Sequence, residues 1–261
     1  MVAFTRNEFK RALQGGKAQL GYWLLLQSPT ATELVAASGI DWMLLDMEHY
    51  AIDLTDVERH LLAARASGGA AELVVRVPSV DPVLVKRLLD VGVRTIMYPM
   101  VESAEEARLA VAATRYPPHG IRGVSSYSRA NGYTQIADYA QRYVDEICVI
   151  VQAESAKAVD AIPEIGAIEG VDIIFIGPAD LNASMGFHGT HGNPAVAAKI
   201  KEGLAAIKRT GKVAATVDFN LETAAKAIDD GFLCMAIGAD GWSISSRVGP
   251  DMAAVRKARR T

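Results

Sequence analysis

Eight short apolar runs alternate with segments of helical spacing along this 261-residue chain, and that alternation leaves few folds open. The runs are Leu20 to Leu25, Trp42 to Asp46, Leu73 to Val77, Thr95 to Tyr98, Ile147 to Gln152, Ile173 to Ile176, Val213 to Val217 and Leu233 to Ile237. Rich in Ile, Val and Leu, they read as strands buried on both faces, as in a parallel sheet. Between and after them lie helical patterns at Thr30 to Ala37, Asp53 to Ala66, Asp81 to Val91, Ser103 to Thr114, Ser155 to Ile165, Pro194 to Thr210, Asn220 to Asp230 and Asp240 to Arg260. Eight strand-helix units in about 250 residues are the pattern of a (β/α)8 barrel. A doubly wound open sheet often carries a Gly-rich phosphate turn after its first strand, and Gly21-Tyr22-Trp23 has none. No composition shift divides the chain. The expected fold class is α/β, a single-domain TIM barrel spanning residues 1–261.

A chain that is 50% hydrophobic and 22% charged has ample material for such a core. Its net charge of −3 gives no basic footprint for nucleic acid or an anionic membrane. No apolar stretch reaches the roughly 18 residues of a spanning helix. Residues 1–16 lack a signal-peptide core, and Thr5-Arg6-Asn7-Glu8 instead reads as a capping box opening an amphipathic helix, so a soluble cytoplasmic protein is expected. Cys148 and Cys234 fall inside strands and read as small buried hydrophobes. Two long Gly- and Pro-bearing intervals, Tyr116 to Glu146 and Ala183 to Asn193, are expected to shape the site.

In this fold the active site forms where strands end and βα loops begin. That register selects Trp23 in the first strand, Asp46, Glu48 and His49 at the second, Arg76 at the third, Gln152 and Glu154 at the fifth, Asp180 after the sixth and Asp218 after the seventh. Glu154 and Asp180 come from neighbouring strands, and their oxygens suit a hard divalent cation such as Mg or Mn, with water and substrate completing its shell. Arg76 suits a substrate carboxylate or oxyanion, or else neutralises Glu48 or Asp46. His49 is the best general base by position. His188 and His191 sit in a Gly-rich loop and read as solvated, as do His60 and His119. No Lys ends a strand, which argues against Schiff-base chemistry; Lys157 lies one turn into a helix.

Six motifs in order, Leu45-Asp46-Met47-Glu48-His49, Val75-Arg76-Val77-Pro78, Leu88-Leu89-Asp90-Val91-Gly92, Tyr116-Pro117-Pro118-His119-Gly120-Ile121-Arg122-Gly123, Gln152-Ala153-Glu154 and Phe175-Ile176-Gly177-Pro178-Ala179-Asp180-Leu181, closely resemble the HpcH/HpaI aldolase family. The resemblance implies a class II pyruvate aldolase of the 4-hydroxy-2-oxoheptanedioate or 2-keto-3-deoxy-L-rhamnonate kind. Such an enzyme reversibly cleaves 4-hydroxy-2-oxo acids to pyruvate and an aldehyde through a metal-stabilised enolate, in the setting of aromatic-compound catabolism. It implies that Glu154 and Asp180 ligate Mg, Mn or Co, and that Gln152 supports that shell. It also implies that Arg76 binds the pyruvyl oxygens and that His49, oriented by Asp90 and preceded by Asp46, is the base. Backbone N–H groups at Ala179 and Asp180 would hold the pyruvate carboxylate beside Trp23. A homo-hexamer, a trimer of dimers in which a neighbouring chain completes each site, is likewise implied. Two departures from the family pattern, Ala153 and Tyr50-Ala51, touch no implied ligand, although the second lies beside the base. A citrate lyase β-like acyl-CoA lyase is the alternative, with Arg256-Lys257-Arg259-Arg260 as its basic cluster.

Overall fold

A computed structural model describes residues 5–190 and 192–259. Its elements run α1 (Glu8–Gln14), β1 (Gln19–Leu24), α2 (Pro29–Ala37), β2 (Trp42–Asp46), α3 (Leu54–Ala66), β3 (Glu72–Arg76), α4 (Pro82–Asp90), β4 (Thr95–Tyr98), α5 (Ala104–Thr114), α6 (Tyr139–Glu146), β5 (Cys148–Ala153), α7 (Ala156–Asp160), α8 (Ile162–Gly166), β6 (Ile173–Ile176), α9 (Pro178–Ser184), α10 (Pro194–Thr210), β7 (Val213–Val217), α11 (Leu221–Asp230), β8 (Phe232–Ala239) and α12 (Asp240–Ala258). Each strand pairs in parallel with the next, and β8 returns to β1 to close the barrel.

Side chains alternate faces along a strand, so each barrel strand reads as two interleaved rows. One row faces the helices and forms the outer core, with Leu45, Val75, Ile96, Val151 and Ile174 all buried. The other row fills the barrel, where Trp42, Leu44, Val74, Met97, Ile150 and Phe175 make an apolar middle layer. A Cβ on Gly21 would stand 2.0 Å from the Trp42 ring, so glycine there is what admits the indole. The same inward rows begin in Glu72 and Thr95 and end in Asp46, Arg76 and Gln152, which puts polar layers at both mouths.

The N-terminal mouth is closed by α1, whose Phe9 and Leu13 enter the interior cluster. Asn7, rather than Thr5, caps this helix: its side chain accepts from the Lys10 N–H at 3.0 Å and donates to Thr95 Oγ1 and the Glu146 carbonyl, both at 3.0 Å. The anticipated single helix from Ser155 is broken at Ala161 into α7 and α8, with Pro163 early in the second piece.

Helices of a barrel return antiparallel to its strands, so the segment from the end of α5 to the start of β5 lies on the N-terminal rim. The Tyr116 to Glu146 interval, which also contains α6, is therefore on the face opposite the strand ends and does not line the cavity of its own chain. His60 is also not solvent-facing; it is buried between α2 and α3, with Nδ1 2.6 Å from Thr32 Oγ1. His119 and His188 are exposed, while His191 lies outside the described residues. Cys148 and Cys234 are free and buried, and burial pushes both thiols up. Among the described residues no helix is long and apolar enough to cross a membrane.

Candidate active site

At the C-terminal mouth a cavity of about 400 Å³ is lined by Trp23, Leu25, Asp46, His49, Tyr50, Arg76, Gln152 and Glu154, and by Phe175, Gly177 to Asp180, Val217 and Phe219. A larger groove of about 680 Å³, between α1, α2 and Gly68-Gly69, belongs to the other rim and gathers no comparable set of buried acids.

The arrangement follows from register. Asp46 and Arg76 are the last residues of β2 and β3 and stand directly opposite one another. The guanidinium therefore meets the carboxylate as a fork, Nε to Oδ1 at 3.0 Å and Nη2 to Oδ2 at 2.6 Å, in a pair that is almost fully buried. Arg76 has five N–H donors, and this pairing uses two. Its Nη1 turns to Glu48 Oε2 at 3.2 Å and to Gln152 Oε1 at 3.5 Å, and its charge lies over the Trp23 ring at 5.6 Å. Asp46 also accepts the Glu48 N–H at 3.0 Å, which turns the chain sharply after β2.

Glu154 follows β5 and is buried. Its Oε1 accepts the Met100 N–H at 2.7 Å and its Oε2 accepts Gln152 Nε2 at 2.9 Å. Burial pushes this carboxyl up to about 7, with the charges of Asp180 and Glu48 adding to the rise against Met100 N–H and Arg76. Burial likewise raises Glu48, opposed by Arg76 and His49, and Glu48 Oε2 is a buried oxygen that completes no hydrogen bond despite its ionic neighbours.

Buried carboxylates that repel one another and lack full partners are what a cation would relieve. Gly177 sharpens the point: a Cβ there would fall 2.6 Å from Glu154 Oε2, so the glycine keeps space beside that oxygen. Among the described residues no three His, Cys, Asp or Glu side chains form a complete cage. Glu154 and Asp180 would supply two anionic donors with the remaining positions left to water or substrate, a donor set that fits a hard divalent cation in an open site. Asp180 is exposed in the first turn of α9, whose N-terminus has no side-chain cap.

His49 stands at the rim, 59% exposed, with Nε2 3.6 Å from Glu48 Oε2. Asp90 is not beside it. It ends α4 on the opposite rim, where it pairs with Arg122 Nη2 at 2.8 Å. Antiparallel packing of α4 on β3 dictates this, because a strand end and the end of the following helix lie at opposite mouths. Asp218 is also withdrawn, accepting from the Asn220 N–H and Thr223 Oγ1. Lys157 is paired with Glu102 at 3.0 Å.

Three contributors escaped the sequence reading: the Met100 N–H, the space kept by Gly177, and the wall of Leu25, Val217 and Phe219; Tyr50, already placed beside the base by the sequence, lines the cavity as well. Met100 adopts φ +52°, strained for a non-glycine residue, and that conformation accompanies its bond to Glu154. A backbone donor leaves no residue-type signal.

Comparison with known proteins gives one consistent family. The model of the HpcH/HpaI aldolase/citrate lyase family matches residues 19–246. A 4-hydroxy-2-oxo-heptane-1,7-dioate aldolase of Escherichia coli is 44% identical over 235 residues, 90% of this chain and 89% of that protein. A pyruvate aldolase of Rhizobium etli is 44% identical over 234 residues, 90% and 91% of the two chains. The crystal structure of an HpcH/HpaI aldolase/citrate lyase family protein from Burkholderia cenocepacia J2315 superposes with a TM-score of 0.90 at 38% identity, covering 97% of this chain and 99% of the other.

Proposed function

This chain belongs to the HpcH/HpaI aldolase/citrate lyase family and is an aldolase, and we propose that it reversibly cleaves 4-hydroxy-2-oxo acids to pyruvate and an aldehyde with a divalent cation held by Glu154 and Asp180. The observation that carries the proposal is the juxtaposition of the buried Glu154 with Asp180 on the rim that also holds Arg76 and His49. When bound, Mg, Mn or Co would act as a Lewis acid toward the 2-oxo acid.

The protein's own groups do the rest. Asp46 locks the Arg76 guanidinium at the cavity, where its positive charge stabilises the negative charge that grows on the 2-oxo oxygen as the C3–C4 bond breaks. Gln152 joins Arg76 to Glu154 and keeps the two in fixed relation. The Ala179 and Asp180 N–H groups, in the uncapped first turn of α9, receive the substrate carboxylate. His49 takes the C4 hydroxyl proton during cleavage and returns it during condensation. Within one chain, Glu48 is the acid that holds the imidazole; Asp90 reaches that base only from a second copy, as a hexamer would provide. Trp23 and Phe175 meet edge to face at 5.9 Å, lining the cavity floor with an apolar surface that excludes water.

The acyl-CoA lyase alternative gains nothing here, since Arg256, Lys257 and Arg259 lie in and just past the last turn of α12 and do not line the cavity. The test is pyruvate release from a panel of 4-hydroxy-2-oxo acids, before and after exhaustive chelation and with Mg, Mn or Co restored. Release that chelation abolishes and metal restores is expected. Full activity after chelation overturns the cation's role, and no pyruvate from any substrate overturns the reaction.

A further inference from the structure

The Glu154 carboxylate is aimed by a bond from the backbone, and that bond needs a conformation that something must hold. Met100 donates its N–H to Glu154 Oε1 at 2.7 Å from a φ of +52°, in the left-handed region that favours glycine. Its own side chain is 51% exposed, so packing does not impose the geometry. The residues after it do. Val101 donates its N–H to the Gln152 carbonyl at 3.1 Å, laying the turn after β4 against the end of β5. Glu102 then reaches the turn after β5, where its Oε1 accepts Ser155 Oγ at 2.5 Å and its Oε2 accepts Lys157 Nζ at 3.0 Å. Ser155 is itself fixed, because the same hydroxyl accepts the Ala158 N–H at 3.0 Å as the N-cap of α7. Three consecutive residues are thus fastened to the stretch from 152 to 157, with Glu154 inside it.

The Glu102 side chain is not what holds α5. That helix is capped by Ser103, whose Oγ accepts the Glu106 N–H at 3.2 Å, and the Glu106 side chain accepts the Glu102 backbone N–H at 2.7 Å. Nor does its ion pair secure the core, since Lys157 is 72% exposed and such pairs contribute little to stability. What Glu102 fixes is the relation between the two turns. Every bond in this clamp lies within one chain, so a second copy is not needed to form it.

From this we infer that Glu102 is a positioning residue for the cation site: through Ser155 and Lys157 it holds the turn after β4 in the strained form whose Met100 N–H fixes Glu154. The inference rests on the reading of Glu154 as a cation ligand. It adds to that reading a residue outside all six sequence motifs, one that lines no part of the cavity.

The experiment is titration of the metal-stripped, substrate-free protein with Mn, reading free Mn by electron paramagnetic resonance, with thermal melts and turnover at saturating Mn alongside. Glu102→Ala should weaken Mn binding by about 10-fold, the scale expected when a ligand loses its support, with kcat at saturating Mn within about 3-fold of the parent. Glu102→Gln keeps an acceptor for Ser155 and should weaken binding by only about 3-fold. Glycine adopts the Met100 conformation without strain, so in a Met100→Gly background Glu102→Ala should cost no more than about 3-fold. A parent protein that binds no Mn overturns the cation reading and this inference with it. If the parent binds Mn and Glu102→Ala binds it equally well, or loses the same factor in both backgrounds, the inference is overturned and the cation reading stands. Glu102 variants that fail to fold, or melt far below the parent, also overturn it, because the clamp would then be a structural brace.

Discussion

Both rims of the barrel carry buried glutamates, and they treat them oppositely. On the N-terminal rim Glu146 receives Arg11 Nη1 and Nη2 at 2.6 and 2.8 Å and the Asn7 N–H at 2.6 Å, while Glu72 receives Thr95 Oγ1 at 2.9 Å and Arg94 at 2.5 Å. Burial alone would raise Glu146, but Arg11 and Asn7 outweigh it and hold the carboxyl below its usual range. On the C-terminal rim burial wins: Glu154 rises to about 7 and Glu48 rises as well. The difference is supply of donors. One rim is saturated and ties α1 to the barrel; the other is left short of positive charge, which is the condition for capturing a cation.

The comparison predicts a double dissociation. Glu154→Gln should lower kcat by about 10³-fold, near 4 kcal/mol, because the cation loses a charged donor. Its melting temperature should not fall, since removing one of several repelling acids relieves the site. A Glu154→Gln protein with near-normal turnover, or one that is clearly less stable, would erase the distinction between the rims. Gly177→Ala is a milder cut at the same rim. The added methyl would crowd Glu154 Oε2 at 2.6 Å, so the carboxylate must shift, and a 10- to 100-fold loss in apparent metal affinity is expected. Titration of Mn against activity reads this directly; unaltered affinity would mean that the space beside Glu154 has no function.

How much of this was legible in the sequence depends on what kind of information each feature carries. Strands β2, β4, β6 and β7 match their anticipated bounds because a buried parallel strand is written in residue type. Arg76 follows from the same register, since a polar residue ending such a strand has one place to go, and Glu154 and Asp180 follow because they lie just past strand ends, in the βα turns of the same rim. A motif match carries no direction, so only the antiparallel return of α4 shows that Asp90 reaches the mouth opposite His49 of its own chain. His60 was misplaced because its burial depends on how α2 meets α3. The Met100 N–H that braces Glu154 belongs to the backbone, which every residue shares.

The saturated rim makes the reciprocal prediction. Glu146→Ala strands the fully buried Asn7 N–H and should cost about 1 to 3 kcal/mol of stability, leaving kcat unchanged. Denaturant melts with parallel assays decide it, and loss of turnover in still-folded protein would link the rims.

The smallest expected effect lies in the pH dependence of stability. Glu146 titrates lower in the folded protein than its ordinary 4.5, so below that value the unfolded chain takes up a proton that the folded one refuses. Its contribution is complete above pH 4.5 and is lost as pH falls toward the folded value. His60 is also depressed, by burial, from 6.5, partly opposed by Asp56 and Asp240. The unfolded chain accordingly binds more protons below 6.5, and this contribution begins to fade at a higher pH than that of Glu146. Acid melts of each variant compared with the parent protein should show His60→Gln removing a falling contribution that starts below pH 6.5 and Glu146→Ala one that starts below pH 4.5. The first is set against the opposite, rising contribution of Glu154 between about 7 and 4.5. If Glu146→Ala leaves the fall below pH 4.5 unchanged, the Arg11 and Asn7 bonds do not hold that carboxyl down, and the contrast between the rims rests on the catalytic side alone.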